Sequence, residues 1–405
     1  MNRKFQIVIW GATGFTGRLV TEYIHINYGK NLQWAIAGRD YEKLKSIKRQ
    51  FQLNPEVECL VGDSFDEQSL KNITSKTKVV ISTVGPYMIY GKKILESCVS
   101  TETDYCDLTG EIPFVKESID SFHKKAKDRH VKIVHSCGYD AIPSDLGCWL
   151  LEEKAIEIFN EPIQNVKLFV LATKGKFSGG TIASMVNLVK NSNNEFLRRL
   201  QSNPYVLCKH ITDDMPRQKI QNFTWYDPRV DSFTAPFLMA TFNTRVVFRT
   251  NDLSHYRYGR HFMYDEGMVV GKNMRGKFRG ILLMAGMGIF MKLMSISLTR
   301  TVLLNTILPK PGEGPSKEER DNGYFKMLVI GEDEEKERRI EVMISDTNDP
   351  GYGSTAKMLA ESGLALALDR DSLPSNFGVL TPAAGLGYVI VERLKKAGMN
   401  ISVNG

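Results

Sequence analysis

The chain has 405 residues, 42% apolar and 24% charged, with a formal net charge of +7. Such a composition suits two or three globular domains, or one domain with a large insertion, and excludes global disorder. The six cysteines, Cys59, Cys98, Cys106, Cys137, Cys148 and Cys208, form no CxxC pair, which excludes a zinc ribbon and a thioredoxin-like motif; free thiols in a chain of this length fit a reducing cytoplasm.

The start, MNRKFQIVIWGATG, lacks the form of a signal peptide, so a cytoplasmic protein is expected. Phe5–Trp10 is a continuous apolar run, the pattern of a parallel strand covered on both faces. Phe15–Tyr28 places Leu19, Val20, Tyr23 and Ile24 on one face of a predicted helix. Between them lies GATGFTG, with Gly11, Gly14 and Gly17 at intervals of three. In a strand-to-helix turn, the first glycine permits the tight bend. The second lets the backbone approach a pyrophosphate, and the third lets the helix pack near the strand. Free N–H groups of Thr13, Phe15 and Thr16 at the helix start then face the phosphates. A second strand, Leu32–Ala37, follows at the distance expected of a dinucleotide-binding unit.

The end of that second strand selects the cofactor. An NAD site usually carries Asp or Glu there for the ribose 2′-hydroxyl. Here the residues are Gly38-Arg39, with Lys43 one turn on. A guanidinium pairs with a 2′-phosphate and stacks on adenine, so NADPH is expected in preference to NADH. The competing reading gives the ribose to Asp40 and leaves Arg39 in solvent. Further predicted strands are Val57–Val61, Lys78–Val84 and Val131–Ser136, with helical patterns between. This alternation predicts an α/β fold with a doubly wound parallel sheet. Ligands bind outside the carboxyl ends of such strands. Asp63 is therefore placed near the adenine. Ser82, Thr83, Val84, Gly85, Pro86 and Tyr87, with Gly138-Tyr139-Asp140, are placed near the nicotinamide ribose.

From about residue 150 the rhythm changes. Ile163–Thr173, Thr244–Arg249, Tyr324–Gly331 and Lys336–Thr347 read as strands, with a helix over Thr181–Leu200. Pro309–Arg320 reads as an exposed loop. Between Phe242 and Arg300 ten Arg or Lys stand against three Asp or Glu, a local excess equal to that of the whole chain. It points to an anionic membrane surface or acidic ligand groups, and not to nucleic acid, since no nucleic-acid module is visible. Within this stretch, 281–299 reads ILLMAGMGIFMKLMSISLT, with one charge, Lys292, and follows Lys272, Arg275, Lys277 and Arg279. Three readings compete: a buried helix or a contact with a second copy of the chain, a helix lying against a bilayer, and a transmembrane helix. Asp349–Thr355 precedes a predicted helix, Ala356–Leu368, which Ser354 or Thr355 would cap. A last helix, Thr381–Ala397, opens on Thr-Pro.

The segments GATGFTG (11–17), AGR (37–39), VGPYMIYG (84–91), YCDLTGE (105–111), CGYDAIPSDLG (137–147), SGGTIAS (178–184), LPKPGEGPS (308–316), DPGYGSTAKMLAESG (349–363) and TPAAGLG (381–387) together resemble the saccharopine dehydrogenase-like oxidoreductases. The similarity is strongest to the branch holding the trans-acting enoyl reductases. The resemblance implies an NADP-binding Rossmann domain over 1–150 and an inserted mixed α+β substrate domain over 151–375, carrying the apolar, basic-flanked segment at 272–308. A C-terminal helix in 376–405 would pack back on the Rossmann unit. It implies hydride transfer to an α,β-unsaturated acyl thioester in lipid metabolism, with no metal; the seven histidines have no zinc-ligand spacing. Candidate proton or oxyanion donors are Tyr87, Tyr139 and Tyr352, with Asp140 and His135 behind them. Asp140, Ser144 and Asp145 are alternatively caps of the helix opened by Pro143. A saccharopine-type C–N dehydrogenase is the second reading, with Arg245 and Arg249 on one strand clamping substrate carboxylates. A non-catalytic NADP-binding protein on a lipid surface is the third.

Overall fold

The computed structural model describes residues 3–29, 31–176, 179–190, 195, 200, 202–310 and 312–405. The first half alternates strand and helix: β1 (Phe5–Trp10), α1 (Phe15–Tyr28), β2 (Trp34–Gly38), α2 (Tyr41–Gln50), β3 (Glu58–Val61), α3 (Glu67–Thr74), β4 (Thr77–Ser82), α4 (Tyr87–Ser100), β5 (Asp104–Asp107), α5 (Ile112–Asp128) and β6 (Lys132–Val134). The second half holds α6 (Ile142–Phe159), β7 (Asn165–Lys174), α7 (Gly179–Lys190), β8 (Trp225–Asp227), β9 (Ser232–Pro236), α8 (Ala240–Leu253), β10 (Met263–Gly271), α9 (Asn273–Ser295), α10 (Ser297–Thr306), α11 (Lys317–Asp321), β11 (Tyr324–Asp333), β12 (Arg338–Asp346), α12 (Thr355–Leu368), β13 (Gly378–Leu380), α13 (Pro382–Lys396) and β14 (Asn400–Asn404). The predicted helix over Thr181–Leu200 is described only as far as Lys190; 191–194 and 196–199 lie outside the described residues.

The first sheet runs β13-β6-β5-β4-β1-β2-β3, every pair parallel. Its order reverses at β1 and β4, which places a ligand crevice beyond the carboxyl ends of those two strands. β1 is buried on both faces. Ile7 and Ile9 join a core with Val20 and Ile24 of α1 and Leu364 of α12. Val8 and Trp10 join the opposite core with Leu70 of α3 and Leu95 of α4. Helices thus cover both faces, which is the doubly wound Rossmann arrangement.

The second sheet runs β14-β12-β11-β7-β10-β9-β8 and is mixed. β7 and β10 pair in parallel, while the other neighbours are antiparallel. α6 packs on β11 and β12; a methyl added at Gly147 would lie 2.7 Å from Val329. The chain weaves between the two sheets. α6 begins inside the expected first domain yet serves the second sheet, and α12 lies in the expected second domain yet covers the first. β13 joins the Rossmann sheet as its seventh strand, and β14 then leaves to edge the other.

Three expectations are corrected here. Thr244–Arg249 is not a strand but lies within α8, where every residue from Phe242 to Asp252 is buried. A helix enclosed on all sides loses its 3.6-residue periodicity, and the β-branched Val246-Val247 then imitates a strand. Segment 281–299 is not a core helix: Gly276, Gly280 and Met294 are the buried residues of α9. Finally, no side chain caps α6, whose N-cap is Ala141. The Asp145 carboxylate instead accepts from the backbone N–H of Ala383 at the start of α13, at 2.8 Å.

Candidate functional site

The turn between β1 and α1 is built as the glycines require. Gly11 has φ +90°, in the left-handed region open to glycine. A methyl at Gly11 would lie 2.5 Å from the Val84 side chain. One at Gly17 would lie 2.1 Å from the carbonyl oxygen of Gly11. Gly14 is the N-cap of α1, and a methyl there would meet only the Gly11 oxygen, at 3.3 Å. The turn is pinned by Gly11 and Ala12 N–H groups donating to Ala37 O. The first helical bond runs from Arg18 to Gly14 O, so the N–H groups of the first turn have no intrahelical partner and the dipole favours an anion there. Thr13, Phe15 and Thr16 are half-buried around this cradle. Only a bare backbone leaves space for a pyrophosphate here, so the residues fit a dinucleotide.

At the adenosine end, Arg39 and Lys43 are exposed beyond β2. Asp40 caps α2, its carboxylate accepting from Lys43 N at 3.0 Å, and Lys43 Nζ lies 3.9 Å from the same carboxylate. The carboxylate thus caps the helix through one oxygen while its side chain stays half exposed, and Arg39 beside it is exposed. Asp63 turns back on its own loop, accepting from Phe65 N at 2.8 Å, which leaves it half-buried at the end of β3.

At the end of β4, the Thr83 hydroxyl donates to Trp10 O and Gly11 O at 3.2 and 3.1 Å, tying the two central strand ends together. Ser82 is buried, Val84 and Pro86 are half-buried, and Gly85 is exposed. Tyr87 corrects an expectation. It is buried, its ring lies 5.6 Å from Phe114, and its hydroxyl donates to Ser82 O at 3.1 Å. Burial raises the phenol well above its ordinary value. Tyr87 therefore packs beneath the Gly85-Pro86 turn, with its hydroxyl engaged by a backbone carbonyl.

Glu111 went unnoticed in the sequence. Its carboxylate accepts from the backbone N–H groups of Tyr87 and Met88 at 3.0 and 2.9 Å, and from the Ser184 hydroxyl at 3.0 Å. One carboxylate thus binds the start of α4 to α7. Desolvation raises its affinity for a proton, while the two backbone N–H groups oppose that rise. A usable signal was present: Glu111 closes one matching segment and Ser184 closes another.

Asp140 is half-buried in the loop after β6. Its carboxylate would stand 3.8 Å from a methyl added at Gly110, beyond β5. Burial pushes it up to about 6. The loop is anchored on either side of it. Tyr139 donates its N–H to the Thr355 hydroxyl at 3.1 Å, and its ring packs edge-on against Phe325 at 5.0 Å. Burial raises the Tyr139 phenol. His135 is structural, held at 2.8 Å by both Asp107 and Ser118. Tyr352 stands over the glycine turn, 5.1 Å from the ring of Phe15, with its hydroxyl 2.8 Å from that of Thr181. Asp349, and neither Ser354 nor Thr355, caps this turn, accepting from Tyr352 N at 2.7 Å.

The segment expected as an exposed loop is partly seated on the same turn. A methyl at Gly314 would strike the Phe15 ring at 2.5 Å, Arg18 donates to Gly312 O at 2.7 Å, and the Arg320 guanidinium lies 5.8 Å from the Phe15 ring. A cleft of about 460 Å³ borders it, between Lys176, Leu308, Gly314 and Glu319. Arg245 and Arg249 are not on a strand face. Both are buried in α8, and Arg249 pairs with Asp252 at 2.6 Å. Among the described residues, no group of three or more His, Cys, Asp or Glu is placed to hold a metal ion.

Comparison with known proteins agrees with a dinucleotide-binding first half of the chain. Residues 7–134 match the saccharopine dehydrogenase NADP binding domain. Two Mycobacterium tuberculosis (strain H37Rv) relatives are named, the first provisionally, as trans-acting enoyl reductases. They are 37% and 34% identical, each match covering 98% of this chain and 97% of the relative. A trans-acting enoyl reductase of Mycobacterium ulcerans is 32% identical over 99% of this chain and 98% of its own. The saccharopine dehydrogenase (L-Glu forming) of Saccharomyces cerevisiae has the same fold, with a TM-score of 0.53 at 10% identity, over 98% of this chain and 99% of that one. The chain therefore belongs to the saccharopine dehydrogenase-like family, among the relatives named trans-acting enoyl reductases, and is an NAD(P)-dependent oxidoreductase with an NADP-binding domain.

Proposed function

We propose that this protein reduces the carbon–carbon double bond of an α,β-unsaturated acyl thioester, with NADPH preferred over NADH. Bound NADPH supplies a hydride to the β-carbon. The α1 N-terminus and the bare turn at Gly11, Gly14 and Gly17 hold the pyrophosphate. Arg39, with Lys43 beside it, takes the 2′-phosphate. Thr83 and the Glu111-anchored Gly85-Pro86 turn shape the floor beneath the nicotinamide. The electron pair of the double bond moves onto the thioester oxygen as an enolate, and a proton must then reach the α-carbon. Asp140 carries that proton: desolvation leaves its carboxyl protonated up to about pH 6, in the range useful to a general acid.

The observation that supports enoyl reduction over C–N chemistry is the placement of the two arginines. A saccharopine-type substrate needs cations to clamp its carboxylates. Arg245 and Arg249 instead lie inside α8, one of them paired with Asp252. The relatives are named enoyl reductases, which fits reduction of an enoyl group. The test is NADPH consumption, followed by absorbance, with a medium-chain enoyl thioester against 2-oxoglutarate plus lysine. Turnover with the thioester alone is expected; turnover with the amino-acid pair alone would reverse the assignment. Arg39→Ala should weaken NADPH by about 1.5–3 kcal/mol, the range of a charge-assisted hydrogen bond, and leave NADH unchanged. Equal losses for both dinucleotides would remove Arg39 from the cofactor site.

A further inference from the structure

The residues from Lys272 to Leu308 contain six Arg or Lys and no Asp or Glu, and they form two helices that stand largely outside the folded body. Within α9, Phe278, Leu282 and Ile289 are 62%, 56% and 61% exposed. At about 100° per residue they fall within about 40° of one another on the helix. Gly276, Gly280 and Met294, the buried residues, lie about 160° away, on the opposite side. As far as Met284 that inner side rests on the second sheet; beyond it Met287 and Met291, on the same side, are exposed. A methyl at Gly280 would strike Thr224 at 2.5 Å, and the Thr224 hydroxyl lies 3.4 Å from the Met284 sulfur. Small residues here bring the helix close to its support and turn the larger apolar side chains outward.

Arg275, Lys277 and Arg279 are exposed and flank the outward stripe on both sides, at about 40–120° from its centre. The pattern continues into α10, where Leu298 and Val302 are exposed. The neighbouring edge at Thr224 also exposes Phe223, Trp225 and Tyr226, the aromatic side chains that favour a membrane–water boundary.

α9 has 23 residues, about 35 Å of helix, which is long enough to cross a bilayer. The topology forbids a single crossing. The excursion leaves from β10 and returns to β11, and only β7 separates these two strands in the sheet. Both ends are therefore on one side, and α10, with 10 residues, is too short to cross back. A second copy of the chain is a poor occupant, because an isologous contact would bring six cations against six.

We infer that α9 and α10 form an in-plane dock for an anionic membrane surface. The Phe278–Leu282–Ile289 stripe enters the acyl boundary, and Arg275, Lys277 and Arg279 meet the headgroups. The inference does not depend on the redox reading and is tested without cofactor. The full chain is mixed with phosphatidylcholine vesicles, with and without phosphatidylserine, and floated on a density gradient. Flotation with the anionic vesicles is expected. Arg275→Gln/Lys277→Gln/Arg279→Gln should lower partitioning roughly 100-fold, at about fivefold for each lost cation. Phe278→Ser/Leu282→Ser/Ile289→Ser should abolish it with an unchanged melting temperature, since these side chains are exposed. The proposal is overturned if the wild-type chain stays at the bottom of the gradient with anionic vesicles. It is equally overturned if these apolar substitutions leave flotation intact, or if they only disperse a concentration-dependent dimer that never floats.

Discussion

Gly17→Ala tests the geometry on which cofactor binding rests. A methyl at this position would sit 2.1 Å from Gly11 O, 2.8 Å from Gly11 C and 2.9 Å from Ala12 Cα. Ordinary contacts between such atoms are about 3.5 Å or more, so the closest falls short by over an ångström. All three obstacles are backbone, and that backbone is pinned: Gly11 and Ala12 both donate to Ala37 O of the next strand. No rotamer relieves the clash, so α1 must lift from the turn. Overpacking of this kind costs about 1–3 kcal/mol, and the rigid partners put Gly17→Ala at the upper end. A melting temperature lower by about 3–4 °C is expected from that cost for a chain of 405 residues, along with loss of NADPH binding in a fluorescence titration, because the displaced helix no longer presents its N–H groups. Gly14→Ala is the control. Its methyl meets only Gly11 O, at 3.3 Å, so the melt should hardly move while NADPH weakens at least tenfold, roughly the loss of one phosphate-binding hydrogen bond. Wild-type melting and wild-type affinity in Gly17→Ala would refute the reasoning. Unimpaired affinity in Gly14→Ala would show that the pyrophosphate lies elsewhere.

If Asp140 is the acid, kcat/KM should fall as pH rises through about 6, and Asp140→Asn should lose that limb together with most of its turnover; an unchanged profile would assign the proton to another group. Glu111→Gln replaces one of two acceptor oxygens with a donor that faces a backbone N–H, so the melt should show a loss of about 1–3 kcal/mol, the cost of an unsatisfied buried group, and the KM for NADPH should rise. Asp145 is buried, and desolvation lifts it to about 7 from an ordinary 3.8. Between those values the folded state holds a proton that the unfolded state releases, so this group's contribution to stability is complete below about pH 4 and is lost as pH rises to about 7. Urea midpoints for wild type and Asp145→Asn should therefore diverge across that window, whereas parallel curves would contradict the raised affinity.

The glycine turn was legible because its chemistry is local. Three glycines between an apolar run and a one-faced helix state a steric requirement that seven consecutive residues meet by themselves, and the alternation of strand and helix around them states the doubly wound sheet. The rest of the site is assembled from distant pieces. Glu111 joins Tyr87, Met88 and Ser184, and Gly314 rests on Phe15 some 300 residues earlier in the chain. No periodicity records such meetings, so the resemblance to a family could mark those segments but could not say what they touch. Tyr87 shows the converse. Its place after β4 suggested a face toward substrate, yet α4 begins at this very residue, which turns the ring inward onto Phe114. Arg245 and Arg249 misled for a related reason: full enclosure erased the helical pattern of α8, and two buried cations looked like a ligand clamp. The error in α9 ran the other way, since an apolar helix normally finds its cover within its own chain. Here the first half of the helix is covered on one side only, the side of Gly276 and Gly280, while Met287, Ile289 and Met291 further along are exposed on both sides. That asymmetry separates a surface built to be covered by something else from a core helix that failed to pack.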